Sequence, residues 1–153
     1  MRLLMAAIVT VMCTAANGEE GKYPLFDPDV VRELVAQADR IVVVEEWPSP
    51  RELYSSSDPR DIAAFGEALK VKRPKSWYHC MCEGDPAIRL YKQTRLLVTI
   101  TNHHGVSVRA SLWDSNAPIT DVEKWLTWFD ARGITGPRRE VEGARRGQAK
   151  PAR

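Results

Sequence analysis

The chain has 153 residues and a formal charge of +2, enough for one domain with a hydrophobic core and with no need of a second. The charge is unevenly placed: Arg138, Arg139, Arg145, Arg146, Lys150 and Arg153 outweigh Glu140 and Glu142, and together with Arg2 this gives +5, leaving −3 for the remainder. A slightly acidic body speaks against a nucleic-acid-binding fold, whose basic patch would lie on the domain itself.

Residues 1–16, MRLLMAAIVTVMCTAA, carry one basic residue, an apolar run over 3–12 and small residues leading to Ala16. That is the pattern of a secretory signal peptide, too short for a comfortable membrane span. Cys13 lacks the small residue expected before a lipoprotein cysteine, so simple export to a periplasm or the extracellular space is expected. The mature chain would then have no transmembrane segment. Residues 17–136 read as a single domain and residues 137–153, nearly devoid of apolar side chains, as a basic disordered tail.

Asp27-Pro28 opens a helix with a cap and a first-turn proline. Val30, Val31, Leu34, Val35 and Ala38 give it one apolar stripe. The continuous run Ile41-Val42-Val43-Val44 reads as a buried strand ending at Trp47, because Pro48 and Pro50 interrupt any ladder. Residues 48–57 read as a loop with a short extended piece at 52–54. Asp58-Pro59 repeats the capping device and starts a helix to about Val71, with Ile62, Phe65 and Leu69 inward. The run KVKRPK at 70–75 reads as a solvated connector.

From Trp77 to Trp113 the composition favours strands. Four are expected as a meander: 76–82, 87–92, 95–102 and 106–112. The turns fall at Gly84-Asp85-Pro86 and at a three-residue loop, His103-His104-Gly105, with Gly105 in the left-handed position. That loop pairs Asn102 with Val106, Ile100 with Val108 and Val98 with Ala110, which keeps both apolar sets on one face. Val106 and Leu112 are expected to point inward. Thr120 to Glu123 spells a capping box for a last helix carrying Val122, Trp125, Leu126 and Phe129, and Gly133 ends it. The order indicates an α+β domain, a mainly antiparallel sheet of a four-strand meander plus one further strand, covered by about three helices.

The chemistry is concentrated in the meander. On a regular strand Cys80 and Cys82 would point to one face, and His79 and Met81 to the other. A disulfide between residues two apart on an extended strand sits near the upper limit of bridgeable separation, so it would require a local bend. Two thiolates on one face can instead bind Cu(I) or Zn(II), with His104, in preference to His103, completing the set. If the meander holds, the cysteine turn and the histidine turn share one rim of the sheet. No paired carboxylates, nucleophile elbow, phosphate loop or dinucleotide fingerprint is present.

The segments Cys80-Met81-Cys82-Glu83-Gly84-Asp85 and His103-His104-Gly105, with Arg109, Trp113 and the Trp125-Leu126 helix, resemble a group of small bacterial proteins of uncharacterised function. The resemblance implies that the two motifs belong to one fold and carries no activity with it. The functional expectation is therefore a small exported binding or structural module that is not an enzyme. Its alternative is a soft-metal or thiol-redox protein built on Cys80, Cys82, His103 and His104, with copper or zinc as the cofactor.

Overall fold

The computed structural model describes residues 25–148. The expected signal peptide, Cys13 and the last five residues lie outside that range. One antiparallel sheet of six strands organises the described chain: β1 (Arg40–Glu45), β2 (Arg51–Ser56), β3 (Ala87–Lys92), β4 (Arg95–His103), β5 (Ser107–Ala110) and the short β6 (Ala117–Pro118), in the order β2-β1-β3-β4-β5-β6. The helices are α1 (Pro28–Gln37), α2 (Pro59–Ala68), α3 (Val122–Asp130) and α4 (Gly136–Gln148). Among the described residues no helix is long and apolar enough to cross a membrane.

Capping chemistry sets where the first helices begin. Asp27 and Asp58 accept hydrogen bonds from the backbone N–H two residues on and are followed by proline, whose missing N–H costs nothing there. For α3 the cap is Asp121, which accepts from Lys124 N at 3.0 Å, rather than Thr120. The threonine is occupied elsewhere, since both its N–H and its hydroxyl donate to the Lys70 carbonyl. Gly133 ends the last expected helix with φ +73°. The second helix stops at Ala68, and Val71 then forms an isolated bridge with Ile119.

The core lies between the sheet and the helices. Val31 and Val35 from α1, Ile62 and Phe65 from α2, and Trp125, Leu126 and Phe129 from α3 meet Ile41, Val43, Ile88, Leu90, Val98, Ile100 and Val108 from the strands. Burying a large apolar side chain of this kind stabilises by about 1.5–3 kcal/mol. Val98, Ile100, Val108 and Ala110 are all buried, so the two strands of the histidine hairpin do share an apolar face.

Four further expectations require correction. Residues 76–82 do not form a strand but a loop, and the place beside β3 belongs to β1, whose Ile41 faces Leu90 and Val43 faces Ile88. The apolar run of β1 is buried from Ile41 to Val44, as a central strand requires. The loop assigned to 48–57 contains β2, the edge strand beside β1. In the hairpin, Asn102 pairs with Val108 and Ile100 with Ala110, two residues on from the expected register. The shift preserves the faces, since side chains alternate with a period of two, but it moves Val106 into the turn and leaves Leu112 beyond β5, and both are exposed. Last, the segment from Pro137 is helical to Gln148, with Pro137 and Val141 buried.

Candidate metal centre

Residues 79–85 pass the end of the sheet that carries the β4–β5 turn, where Gly84 closes on Asn102 and His103. Their path is set by side chains rather than by a ladder. Cys80 N donates to Asn116 Oδ1 at 3.1 Å, and Arg109 donates through Nη2 to the Cys80 carbonyl. The Arg109 guanidinium also reaches Asn116 Oδ1, at 3.1 and 3.3 Å, while Asn116 N donates to Tyr78 O at 2.7 Å. Arg109 and Asn116 therefore act as one clamp on the backbone of the cysteine loop. At the loop's other end Gly84 takes φ +81°, and a Cβ there would come 2.7 Å from His103 Nε2 and 2.8 Å from the Asn102 carbonyl. Only glycine allows the chain so close to the imidazole in that conformation.

The bend brings the Cα atoms of Cys80 and Cys82 to 5.3 Å, and their sulfurs are in bonding contact as a disulfide. The separation of an extended strand, which would have resisted a bridge, is absent because the strand is absent. Both histidines of the turn come to the same place. Cys82 Sγ lies 3.0 Å from His103 Nδ1 and 3.3 Å from His104 Nε2, and Cys80 Sγ lies 3.2 Å from His104 Nε2. The ligand atoms of Cys80, Cys82 and His103 are all within 4.8 Å of one another. His103, placed by β4 on the face that the loop covers, is fully buried, whereas the His104 side chain is 52 % exposed. Strand phase, the ground for preferring His104, is what delivers His103. The Met81 side chain is 92 % exposed, and His79 turns to Asp114, 2.9 Å from its carbonyl oxygen and 2.8 Å from its carboxylate.

Each ring also has a polar partner on its far side. Thr101 Oγ1 lies 2.9 Å from His103 Nε2 and 3.4 Å from the Arg109 carbonyl. In the tautomer whose Nε2–H donates to Thr101, the lone pair of His103 is on Nδ1, toward Cys82. His104 donates from Nδ1 to Glu140 on α4 at 2.6 Å, which turns Nε2 toward both sulfurs. Burial lowers the His103 pKa to about 4, with Arg109, His104 and His79 adding to the effect, so the ring is neutral near pH 7. A carboxylate behind an imidazole, as Glu140 stands behind His104, is an arrangement also used to orient histidines in metal sites.

An open groove of about 960 Å³ runs past Cys82 and His104, between the β1–β2 turn and the start of α4. Glu45, Glu46, Glu83, Asp85 and Glu140 line it together with Arg51, Arg132 and Arg139, and Arg51 is paired with Glu45 at 2.7 Å. Burial raises the Asp85 pKa, and the charges of Glu45, Glu46 and Glu140 raise it further.

Sequence reasoning named the two cysteines and two histidines but missed Arg109, Asn116, Thr101 and Glu140 as their supports. The signal at Glu140 was present in Gly136-Pro137, a first-turn proline like those at Pro28 and Pro59. No protein-family model matches the chain, and neither the curated proteins nor the solved structures contain a significant match to it.

Proposed function

We propose that this is a small, non-catalytic metal-binding module, exported if residues 1–16 act as read, that holds one Cu(I) or Zn(II) ion through Cys80, Cys82, His103 and His104. The observation that carries this reading is the convergence of two imidazoles on the two cysteines. Ring nitrogens of His103 and His104 lie 3.0 to 3.3 Å from the sulfurs, and in the reduced protein such a set of donor atoms can close around a cation. Two thiolates and two imidazoles suit a soft or borderline ion in tetrahedral geometry. With metal–sulfur bonds near 2.3 Å and metal–nitrogen bonds near 2.0–2.1 Å, the sulfurs would stand about 3.8 Å apart and each S···N about 3.6 Å. Binding thus requires reduction of the disulfide, a swing of the two Sγ atoms and an outward shift of a few tenths of an ångström at the rings.

The reading is tested on the reduced protein by titration with Zn(II) and with Cu(I), followed by metal analysis after desalting. One ion per chain in wild type and loss of it in Cys82→Ser and His103→Ala are expected. Equal metal content in the three proteins would sink it. The bonding contact of the sulfurs favours a second reading, a thiol-redox protein in which the pair cycles between dithiol and disulfide by two electrons and two protons. Thiol counting in the presence of bound metal separates the two, because coordinated thiolates are shielded from alkylation and a free dithiol is not.

A further inference from the structure

Resting on that metal-binding reading, we infer that the ion is exchanged with an external donor through the groove, with His104 as the departing ligand and Glu140 as the residue that holds it in place. The two histidines are unequal in a way that binding alone does not require. His103 is enclosed by Gly84, Thr101 and the cysteine loop and has no exposure. His104 stands at the groove wall with Cys82 and Glu140, while Cys80 and His103 do not line it. Its side chain is half exposed, and the hydrogen bond to Glu140, itself on a carboxylate 46 % exposed, is its polar contact outside the cluster. The backbone of His104 adopts φ +56°, and the residue lines the groove.

The donor class that fits is a small thiolate or a nitrogen chelator entering beside Cys82. In the step, the donor's lone pair forms a bond to the ion while the bond to His104 Nε2 breaks. The imidazole departs neutral with its own electron pair, Nδ1–H stays with Glu140, and the oxidation state of the metal does not change. Cys80, Cys82 and His103 retain the ion until the donor has replaced the remaining bonds.

The test uses the reduced full chain loaded with one Zn(II), mixed rapidly with a chromophoric pyridylazo chelator. Transfer from wild type is expected to rise with chelator concentration, as bond formation by the incoming donor demands. In Glu140→Gln the transfer rate should increase about 10-fold, the lower end of the effect of removing a group that orients a metal ligand. His104→Ala should be at least as fast and still carry one ion at stoichiometric loading, while His103→Ala should carry none. Retained zinc with a transfer rate that is independent of chelator, or unchanged in both His104→Ala and Glu140→Gln, would overturn the exchange route alone. A wild type that holds no zinc would overturn this inference together with the metal reading. Circular dichroism of each variant excludes unfolding as the cause, and His104, on the surface, can be truncated without opening the core.

Discussion

Asn102 and His103 are neighbours at the end of β4, both polar and both fully buried, yet they face opposite sides of the sheet and serve different ends. On the helix side, Asn102 accepts from Trp125 Nε1 at 3.0 Å and donates to the Asp85 carbonyl at 2.8 Å. Each partner there is a fixed protein group, so the network is closed and its value is stability. On the loop side, His103 uses one nitrogen on Thr101 and aims the other at Cys82. That network ends on the Cys80–Cys82 disulfide, a group whose chemistry can change. A buried polar residue whose partners are all structural marks a joint, while one whose last partner is a reactive atom marks a site.

The comparison predicts that changes on the helix side register first in stability. Trp125→Ala should cost about 3–5 kcal/mol for a large core side chain and should also leave Asn102 Oδ1 without its donor. Urea unfolding measures it, and a loss below about 1 kcal/mol would mean that the closed network is not the joint described here. Gly84→Ala, on the loop side, combines a positive φ with a collision at His103. A cost of about 1–3 kcal/mol is expected, and metal binding should fall further than stability does. If Gly84→Ala retains full zinc content, the close approach of loop and ring is not required by the site.

Asn116→Ala removes the acceptor that holds Cys80 N and Arg109. Its expected cost is about 1–2 kcal/mol, with metal affinity lowered about 10-fold to 100-fold because the sulfurs lose their support. Competition against a chelator of known affinity would show it, and an unchanged affinity would place the support of the loop elsewhere. The smallest effect concerns pH. Hydrogen bonding to Arg73 holds the Asp27 carboxyl below the usual range, and Arg138 does the same for Glu123. Since folding lowers these pKa values, the stability they contribute is present above the unfolded values and is lost as pH falls through the folded ones. Both groups are exposed, so the acid loss should be slight and weaker in high salt. Asp27→Asn should flatten it, and an acid slope identical to wild type would assign the effect to other carboxylates.

Much of the scaffold was legible because its signals are local. Asp-Pro pairs mark helix starts, and the alternation of Val98, Ile100, Val108 and Ala110 fixes a face even when the register slips by two. The cysteine loop was misread as a strand because Trp77 and Tyr78 have strand-like propensity, while the groups that bend it, Arg109 and Asn116, lie 29 and 36 residues from Cys80. Convergence of cysteines and histidines on one rim nevertheless follows from either reading, since the Gly84 and Gly105 turns fall at the same end of the sheet. Helix α4 escaped because its composition is nearly all polar. Its docking depends on a few buried residues, Pro137 and Val141 among them, and on charge pairs such as Arg138 with Glu123 at 2.7 Å, which composition does not reveal.

The turn glycine that follows the two histidines has a further consequence, for the order in which this sequence can change. A Cβ on Gly105 would meet Val141 Cγ2 at 2.6 Å, the Pro137 carbonyl at 2.9 Å and Leu126 Cδ2 at 3.2 Å. Even Asn, which tolerates the left-handed backbone there, has no room until the helix behind it recedes. Positions 105 and 141 are therefore epistatic. A smaller residue at 141 removes the nearest of these contacts and leaves the Pro137 carbonyl in the way, so the double substitution should be milder than the sum of the single ones and still costly.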